Sequence, residues 1–314
     1  MLKSRIIPVL LYDENLNCLQ TKQFVRPARI AGSLMQAVQT MESRDIDELV
    51  IIDINARSQN RPPLFEPIKE YTSELFCPLT VGGGINTIDD IKRLLHSGAD
   101  KVVLCTQFID DPGFIYDAVN KFGSQCITVA INYATRRFES GAQHFMVNQN
   151  YTATSDITLR TAIKKALDLR VGEILLVDVL NSGLMQGYNI NAVFEACYDH
   201  DKPHNTPIVP LGGCGKPEHM AEAFRVGAHA VAASSMFLFR DITPKQCARE
   251  LQKSGFRVRV DNLSKDDIEF LRRCKEGHEL YKQYKRKSQT VQAALINKKI
   301  GRSKVLTDNR VEAK

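Results

Sequence analysis

Residues 47–53, DELVIID, and residues 172–178, GEILLVD, open two copies of one passage. A glycine-rich stretch follows in each copy, PLTVGGG at 78–84 and PIVPLGGCG at 207–215. The copies lie about 125 to 130 residues apart, whereas short solenoid repeats have periods of roughly 20 to 50 residues. The sequence therefore predicts one fold made of two similar halves.

A third matched pair closes the copies, SGADKVVLCT at 97–106 and VGAHAVAASS at 226–235. Along the chain, short apolar runs alternate with amphipathic patterns, which is typical of parallel strands that are each followed by a helix. The strand-like runs lie near residues 5–11, 48–54, 78–82, 101–105, 126–132, 173–179, 207–212 and 230–234. Helical spacing is found at 34–41, 88–95 and 161–167. Eight units in two sets of four predict an α/β fold, a (β/α)8 TIM barrel built from two duplicated half-barrels.

Three longer connections each follow a predicted strand, at 12–32, 55–63 and 133–157. In barrels of this kind the loops after the strands carry the active site. We therefore expect the functional residues at the carboxyl ends of the strands.

The composition excludes several classes of protein. The chain has 43% hydrophobic and 25% charged residues among 314, has no apolar stretch long enough to span a membrane, and does not begin with a signal-peptide pattern. Its eight cysteines include no Cys-x-x-Cys pair, which favours a reducing cytoplasmic location without metal or disulfide. No motif predicts a cofactor, and the His200 and His204 pair is interrupted by Pro203, so no metal site is predicted.

The basic charge lies at the end of the chain. Residues 265–314 contain fourteen Lys and Arg against seven Asp and Glu, a balance of +7, while the whole chain carries +6. A near-neutral main domain does not favour nucleic-acid binding. We predict a barrel domain at 1–262 and a basic C-terminal extension at 263–314, which either docks on a partner through a helix or is a solvated tail.

Glycines and hydroxyl residues follow matched strands in both halves. Backbone without side chains can approach an anion closely and offer it N–H donors. The duplication favours two phosphate sites on opposite sides of one mouth, over the alternative that these glycines only turn the chain. The residues are Gly83, Gly84 and Thr106 in one half and Gly212, Gly213, Ser234 and Ser235 in the other.

Many of these motifs together resemble the cyclase subunit, the HisF-like subunit, of imidazole glycerol phosphate synthase. The resemblance covers about residues 1–262. It rests on RII at 5–7, DELV at 47–50, TVGGGI at 80–85, GADKV at 98–102, FGSQ at 122–125, GEILL at 172–176, GGCGK at 212–216 and AAS at 232–234. It implies the duplicated (β/α)8 fold and a separate glutaminase subunit, whose ammonia passes through the barrel core. It also places Gly183 in the second phosphate site.

The family has a charged ring at the entrance of the ammonia tunnel. The matching residues here are Arg5, Glu48, Lys101 and Glu173. Two cations and two anions can satisfy one another at the barrel base, whereas a single buried charge is costly; the alternative is that charges at strand starts merely face water. The resemblance further implies that Asp100 contacts the glutaminase.

The family's two catalytic aspartates are absent from this sequence. Leu11 and Asn132 occupy their positions at the ends of the first and fifth strands. Leucine transfers no proton, and an amide has no useful pKa near neutrality. Cys105 replaces an asparagine of the first phosphate pocket, and the loop 179–183, VLNSG, lacks the family's acidic residues. The ring-closing chemistry is therefore predicted to be lost and the ammonia path kept.

A leucine at position 11 also resembles a paralogous branch of the family. Members of that branch are associated with a glutaminase homologue and an ATP-pyrophosphatase-type amidotransferase, in the conversion of acetamido to acetamidino sugars for surface polysaccharides or nonulosonic acids. The resemblance implies a phosphorylated or nucleotide-linked sugar as substrate. A genuine cyclase of histidine biosynthesis and a non-catalytic scaffold remain open alternatives.

Two further acids are related by the repeat. Asp53 and Asp178 follow the second and sixth strands, where they could orient ammonia or substrate at the mouth. A structural role, in which the carboxylates accept hydrogen bonds from loop backbone, is the alternative.

Overall fold

The computed structural model describes residues 4–139, 141–147, 154–199 and 202–259. The strands are β1 (Arg5–Tyr12), β2 (Asn17–Lys22), β3 (Val25–Ser33), β4 (Leu49–Asp53), β5 (Leu79–Gly82), β6 (Lys101–Leu104), β7 (Ile127–Phe138), β8 (Gly141–Val147), β9 (Thr154–Thr158), β10 (Glu173–Asp178), β11 (Tyr198–Asp199), β12 (Lys202–Pro203), β13 (Ile208–Leu211) and β14 (Ala230–Ala233). The helices are α1 (Leu34–Ser43), α2 (Phe65–Glu74), α3 (Ile88–His96), α4 (Thr106–Asp110), α5 (Pro112–Phe122), α6 (Leu159–Asp168), α7 (Ile190–Cys197), α8 (Pro217–Arg225), α9 (Ser235–Phe239) and α10 (Pro244–Lys253), with a 3₁₀ turn at Ser124–Cys126.

Eight of these strands form a parallel barrel. The pairing order is β14, β1, β4, β5, β6, β7, β10 and β13. The two ends of this order meet where the N–H of His229 donates to the carbonyl of Ile208 at 3.1 Å. The predicted (β/α)8 TIM barrel is confirmed, and each predicted strand-like run overlaps one of the eight strands.

The apolar runs form strands that are buried on both faces. All six residues of β10 are buried, as expected for a strand between a barrel interior and a helical layer. Alternate residues belong to different clusters: Ile6 and Leu10 pack in the large outer core, and Ile7 and Val9 in the inner one. The period of two along each strand therefore separates the barrel interior from the helix-facing core.

Several of the helices begin at side-chain caps. Thr87 accepts a hydrogen bond from the N–H of Asp90 at the start of α3, and the Asp90 carboxylate accepts the N–H of Thr87 in return. Ser33 caps α1 and Thr158 caps α6 in the simpler way. The three predicted amphipathic segments lie within these helices, whose buried residues face the outer core.

Two of the predicted long connections contain extra strands. The connection after β1 is the antiparallel hairpin β2–β3, and β7 continues to Phe138 and pairs with β8. The sequence predicted the strand at 126–132 to end earlier, but antiparallel pairing with β8 extends it beyond the barrel. Both hairpins follow barrel strands at their carboxyl ends, the end called the mouth below; the opposite end, where strands begin, is the base.

In the part of the chain that the structure describes, no helix is long and apolar enough to cross a membrane. The seven cysteines of this part are free thiols. The basic extension predicted at 263–314, and His200 of the histidine pair, lie outside the described residues, so the domain boundary stays a prediction.

Candidate functional site

Four charged side chains meet at the base of the barrel. Arg5 bonds to both Glu48 and Glu173 through separate guanidinium nitrogens. Lys101 Nζ lies 2.7 Å from Glu48 Oε1 and 3.3 Å from Glu173 Oε2. Each cation therefore bridges both anions, and the four residues that the sequence singled out form one closed ring.

Burial makes this mutual pairing necessary. Glu48 is 3% exposed and Glu173 6%. Burial alone would raise the pKa of Glu48, but the charges of Lys101 and Arg5 and hydrogen bonds from Lys101 and Thr80 outweigh it and hold that pKa below its usual value. Thr80 Oγ1 donates to Glu48 Oε1 at 3.1 Å. Glu48 is thus held in its ionised form by the two cations that it contacts.

Two repeat-related side chains flank the ring in the same way. Asp100 Oδ2 accepts the N–H of Leu79 at 2.8 Å, and His229 Nδ1 accepts the N–H of Ile208 at 3.4 Å. Both side chains are exposed at the base. The predicted partner contact, Asp100, is therefore on the surface beside the ring, and His229 occupies the equivalent position in the other half.

The interior above the ring is lined by small and branched apolar side chains. They are Ile7, Val9, Val50, Val103, Ala130, Leu175, Val177, Val209, Ala230 and Ala232. The hydroxyl of Thr128, at the level of Glu173 in the strand register, is buried without a hydrogen-bond partner among the described residues. This apolar interior lies between the charged base and the mouth and solvates ions poorly.

The two family catalytic positions lie at the mouth. Leu11 is half-buried and packs on the inner core, and it lines the pocket described below. Asn132 is buried, and its Nδ2 donates to Cys105 Sγ at 3.2 Å. Burial raises the pKa of Cys105 to about 11, so this thiol is neutral at physiological pH. None of these three side chains exchanges protons near neutrality.

The carboxylates of Asp53 and Asp178 hold the loops that follow their strands. Asp53 Oδ1 accepts the N–H groups of Asn55 and Ala56, each at 3.0 Å, and Asp53 Oδ2 lies 2.7 Å from Arg61. In the other half, Asp178 Oδ1 accepts the backbone N–H groups of Leu180 and Asn181, at 3.0 and 3.2 Å.

The second oxygen of Asp178 is also engaged. It accepts the Asn181 side-chain amide at 2.8 Å and the hydroxyl of Tyr133 at 3.2 Å. Burial raises the pKa of Asp178, although these hydrogen bonds act in the opposite direction. The geometry of both acids matches the structural alternative weighed from the sequence, and a role in orienting substrate stays a prediction.

The five predicted phosphate residues of the second half come together. Gly183, Gly212, Gly213, Ser234 and Ser235 all line one open pocket at the mouth, with an empty volume of about 370 Å³. Leu11, Gln20, Thr21, Ser182, Met185, Leu211, Cys214 and Ala233 complete its wall. Ser234 Oγ is buried without a hydrogen-bond partner among the described residues.

Glycine is required at this pocket by backbone geometry. Gly212 and Gly213 have φ of 104° and 100°, and a Cβ on Gly213 would lie 2.0 Å from the Gly187 carbonyl oxygen. Side chains at these positions would collide with the neighbouring loop, so the backbone remains open to a ligand.

The first half has the same backbone conformation at its matching glycines, but different side chains surround them. Gly83 and Gly84 also have positive φ, and a Cβ on Gly83 would strike the Asp53 carbonyl as one on Gly212 would strike that of Asp178. Thr106 Oγ1 accepts a hydrogen bond from Arg57 Nη1 at 2.6 Å. The structure thus brings Gly83, Gly84 and Thr106 to the position equivalent to the second-half pocket.

Sequence reasoning missed three residues at the mouth. Gln20 Nε2 donates to Ser235 Oγ at 3.1 Å, Arg57 reaches Thr106, and Tyr133 bonds to Asp178. The strand ends could have revealed Tyr133, because its repeat partner is Tyr12, but the hairpin and loop positions of Gln20 and Arg57 carry no comparable signal. Among the described residues, no group of three His, Cys, Asp or Glu side chains is placed to hold a metal ion.

A family profile and individual relatives identify the same family for this chain. The profile of the family described as histidine biosynthesis protein matches residues 5–243. The imidazole glycerol phosphate synthase subunit HisF of Campylobacter concisus is 38% identical over 232 residues, which is 73% of this chain and 88% of the relative. A protein of Campylobacter jejuni with the provisional name imidazole glycerol phosphate synthase subunit hisF2 is 35% identical over 261 residues, 83% of this chain and 100% of the relative. The chain therefore belongs to the histidine biosynthesis protein family, as a HisF-type synthase subunit.

Proposed function

We propose that this chain accepts glutamine-derived ammonia from a glutaminase subunit and passes it through the barrel to amidate a phosphorylated or nucleotide-linked sugar at the mouth. The observation that carries the proposal is the contrast between the closed charged ring at the base and the absence of an acid–base pair at Leu11 and Asn132. A barrel of this design would conduct ammonia to the acceptor, and another subunit would activate the acceptor for attack.

The ring supports the first step. Docking of a glutaminase beside Asp100 would cover the base. Lys101 bridges Glu48 and Glu173 on one side of the ring, so movement of its side chain would open the ring on that side. The glutaminase would release ammonia at the base, and the apolar interior above would admit only the uncharged molecule, because it cannot compensate a charge. Neutral ammonia enters as the permeant species.

The interior supports the second step. The side chains of Ala130, Ala230 and Ala232 are small, so ammonia would pass mainly methyl groups and backbone in the interior. The unpartnered hydroxyl of Thr128 offers ammonia one hydrogen bond near the ring. A single weak polar contact favours passage, because a strongly binding site would hold the ammonia in the barrel.

The mouth supports the third step. Ammonia replaces the amide oxygen only when that oxygen has been activated, and an ATP-pyrophosphatase-type amidotransferase would transfer AMP from ATP to it with release of pyrophosphate. Attack of ammonia on the amide carbon would then form the C–N bond and break the C–O bond, with AMP as the leaving group. The barrel would hold the sugar through its phosphate sites and deliver the nucleophile. The product would be an acetamidino sugar for surface polysaccharide or nonulosonic acid biosynthesis, and the barrel itself would transfer no proton.

A nitrogen-source comparison tests the ammonia path. The full chain is combined with a HisH-type glutaminase and an ATP-pyrophosphatase-type amidotransferase, and either amide-¹⁵N glutamine or ¹⁵N ammonium is supplied with the sugar. Mass spectrometry follows the label in the sugar, and released glutamate is measured in parallel. We expect Lys101→Met to lower the incorporation from glutamine several-fold while glutamate release and incorporation from ammonium persist.

The matched control is Lys92→Met, which removes an exposed lysine of α3. If Lys101→Met incorporated nitrogen from glutamine as efficiently as the native chain, the result would contradict the ammonia path and favour a non-catalytic scaffold. Efficient conversion of the family's phosphoribosyl substrate by the purified chain and ammonium would instead make it a cyclase of histidine biosynthesis, the activity that the relatives' names favour.

A further inference from the structure

The two anion sites of the duplicated barrel differ in charge. The repeat aligns Asp53 with Asp178, and the residues four positions later are Arg57 in the first half and Ser182 in the second. Ser182 lines the second-half pocket. By the same pseudo-symmetry, Arg57 lies at the first-half site, where the resemblance to the family provides no arginine.

Hydrogen bonds confirm this placement of Arg57. Thr106 and Ser235 are repeat-related, and each hydroxyl accepts one hydrogen bond from a long side chain. The donor to Thr106 is the Arg57 guanidinium at 2.6 Å, and the donor to Ser235 is the Gln20 amide at 3.1 Å. One half therefore has a permanent cation beside the hydroxyl, and the other has a neutral amide.

The surroundings of Arg57 form a polar rim. Asn86 Nδ2 donates to the carbonyl of Gly84 at 3.2 Å, and Gln107 Nε2 donates to Asn86 Oδ1 at 3.3 Å. Burial raises the pKa of Cys105, Arg57 opposes that shift and Asp110 adds to it, so both charges lie near the thiol. The guanidinium is exposed at the mouth and has five N–H donors in a fixed plane.

We propose that Arg57 binds the substrate's phosphoryl group, and that the first-half site takes a terminal phosphate monoester while the second-half site takes a group of lower charge. This inference rests on the proposed sugar substrate and specifies its charged end. A guanidinium donates two parallel bonds to phosphate oxygens, and a monoester carries about −1.5 to −2 charges near neutral pH. The uncharged wall of Gln20, Ser182 and Ser234 suits a diester or hydroxyl groups.

The test titrates the full ¹⁵N-labelled chain with inorganic phosphate, which is dianionic near neutral pH, and with dimethyl phosphate, which is a monoanion. The reporters are the backbone amides of Gly84 and Thr106 in one half and of Gly213 and Ser235 in the other. We expect phosphate to bind the first half more tightly, and Arg57→Ser to weaken that binding about tenfold, as for loss of a charge-assisted hydrogen bond. Dimethyl phosphate binding should change little.

Two further variants sharpen the result. Ser182→Arg should give the second half a preference for phosphate, and Arg225→Ser, which removes an exposed arginine of α8, should leave both titrations unchanged. Equal phosphate affinity at Gly84 in the native chain and in Arg57→Ser would overturn the inference. Neither glutaminase nor ammonia takes part, so a failure of ammonia transfer would be observed separately.

Discussion

The base and the mouth of the barrel differ in how their charged side chains are arranged. At the base, Arg5, Glu48, Lys101 and Glu173 are all present and pair with one another. At the mouth, the uncharged Leu11 and Asn132 stand where the resemblance to the family predicts catalytic aspartates, and Asp53 and Asp178 accept hydrogen bonds from loops. Under the proposed function, the two ends of the barrel would have separable roles, ammonia admission at the base and substrate binding at the mouth.

The largest expected effect comes from restoring acids at the mouth. The double variant Leu11→Asp/Asn132→Asp should convert the family's phosphoribosyl substrate with ammonium, because general acid–base catalysis contributes roughly 10²–10⁴-fold. Product formation is followed by absorbance against the native chain. Leu11→Asn/Asn132→Ser is the matched control, since it adds polarity without a carboxylate.

An inactive double variant that still binds phosphate at Gly84 and Gly213 would show that the mouth has lost more than two carboxylates. In that case the loop 179–183, which lacks the family's acidic residues, becomes the next difference to reverse.

The next effect, on stability, concerns the base. Glu48→Ala should lower the free energy of unfolding by about 2–3 kcal/mol, because it leaves Lys101 and Arg5 without one of their two partners in a partly buried position. Urea unfolding of the full chain at neutral pH measures the change. Thr80→Val, which removes one neutral hydrogen bond to Glu48, should cost only about 1 kcal/mol.

A Glu48→Ala chain as stable as the native one would mean that water satisfies the cations and that the ring is not a closed unit. Adding Lys101→Met to Glu48→Ala separates the contributions, since the double variant retains the Arg5 and Glu173 pair. It should lose less stability than the two single changes together.

The sequence predicted the elements of the barrel better than the partners at the mouth. Strand positions follow from short apolar runs that alternate with helical patterns, and the four residues of the ring at the base are expected from the resemblance to the family. The contacts of Gln20 with Ser235 and of Arg57 with Thr106 join a hairpin strand and a loop to the starts of two helices, across 215 and 49 residues. No local pattern encodes such pairs, because they depend on how a hairpin and a loop fold over the barrel.

The smallest expected effect is a pH-dependent change in stability that arises at His229, the repeat counterpart of Asp100. Burial, His204 and Arg5 lower the pKa of His229, with Glu173 acting in the opposite direction, and its Nδ1 must be unprotonated to accept the N–H of Ile208. Because the folded pKa lies below the unfolded value of 6.5, the unfolded chain takes up a proton first. Stability is therefore fully present above pH 6.5 and falls as the pH drops toward the folded pKa.

His229→Asp should remove this dependence, since the new carboxylate can accept the same N–H as Asp100 does and stays ionised between pH 7.5 and 5.5. The native chain should lose about 1–2 °C more in melting temperature over that interval than the variant, as measured by calorimetry. His219 also has a lowered pKa but is common to both proteins, so its contribution cancels. Parallel melting curves for the two proteins would mean that His229 is protonated alike in folded and unfolded chains, and that the repeat preserves only the shape of the Asp100 contact at the base.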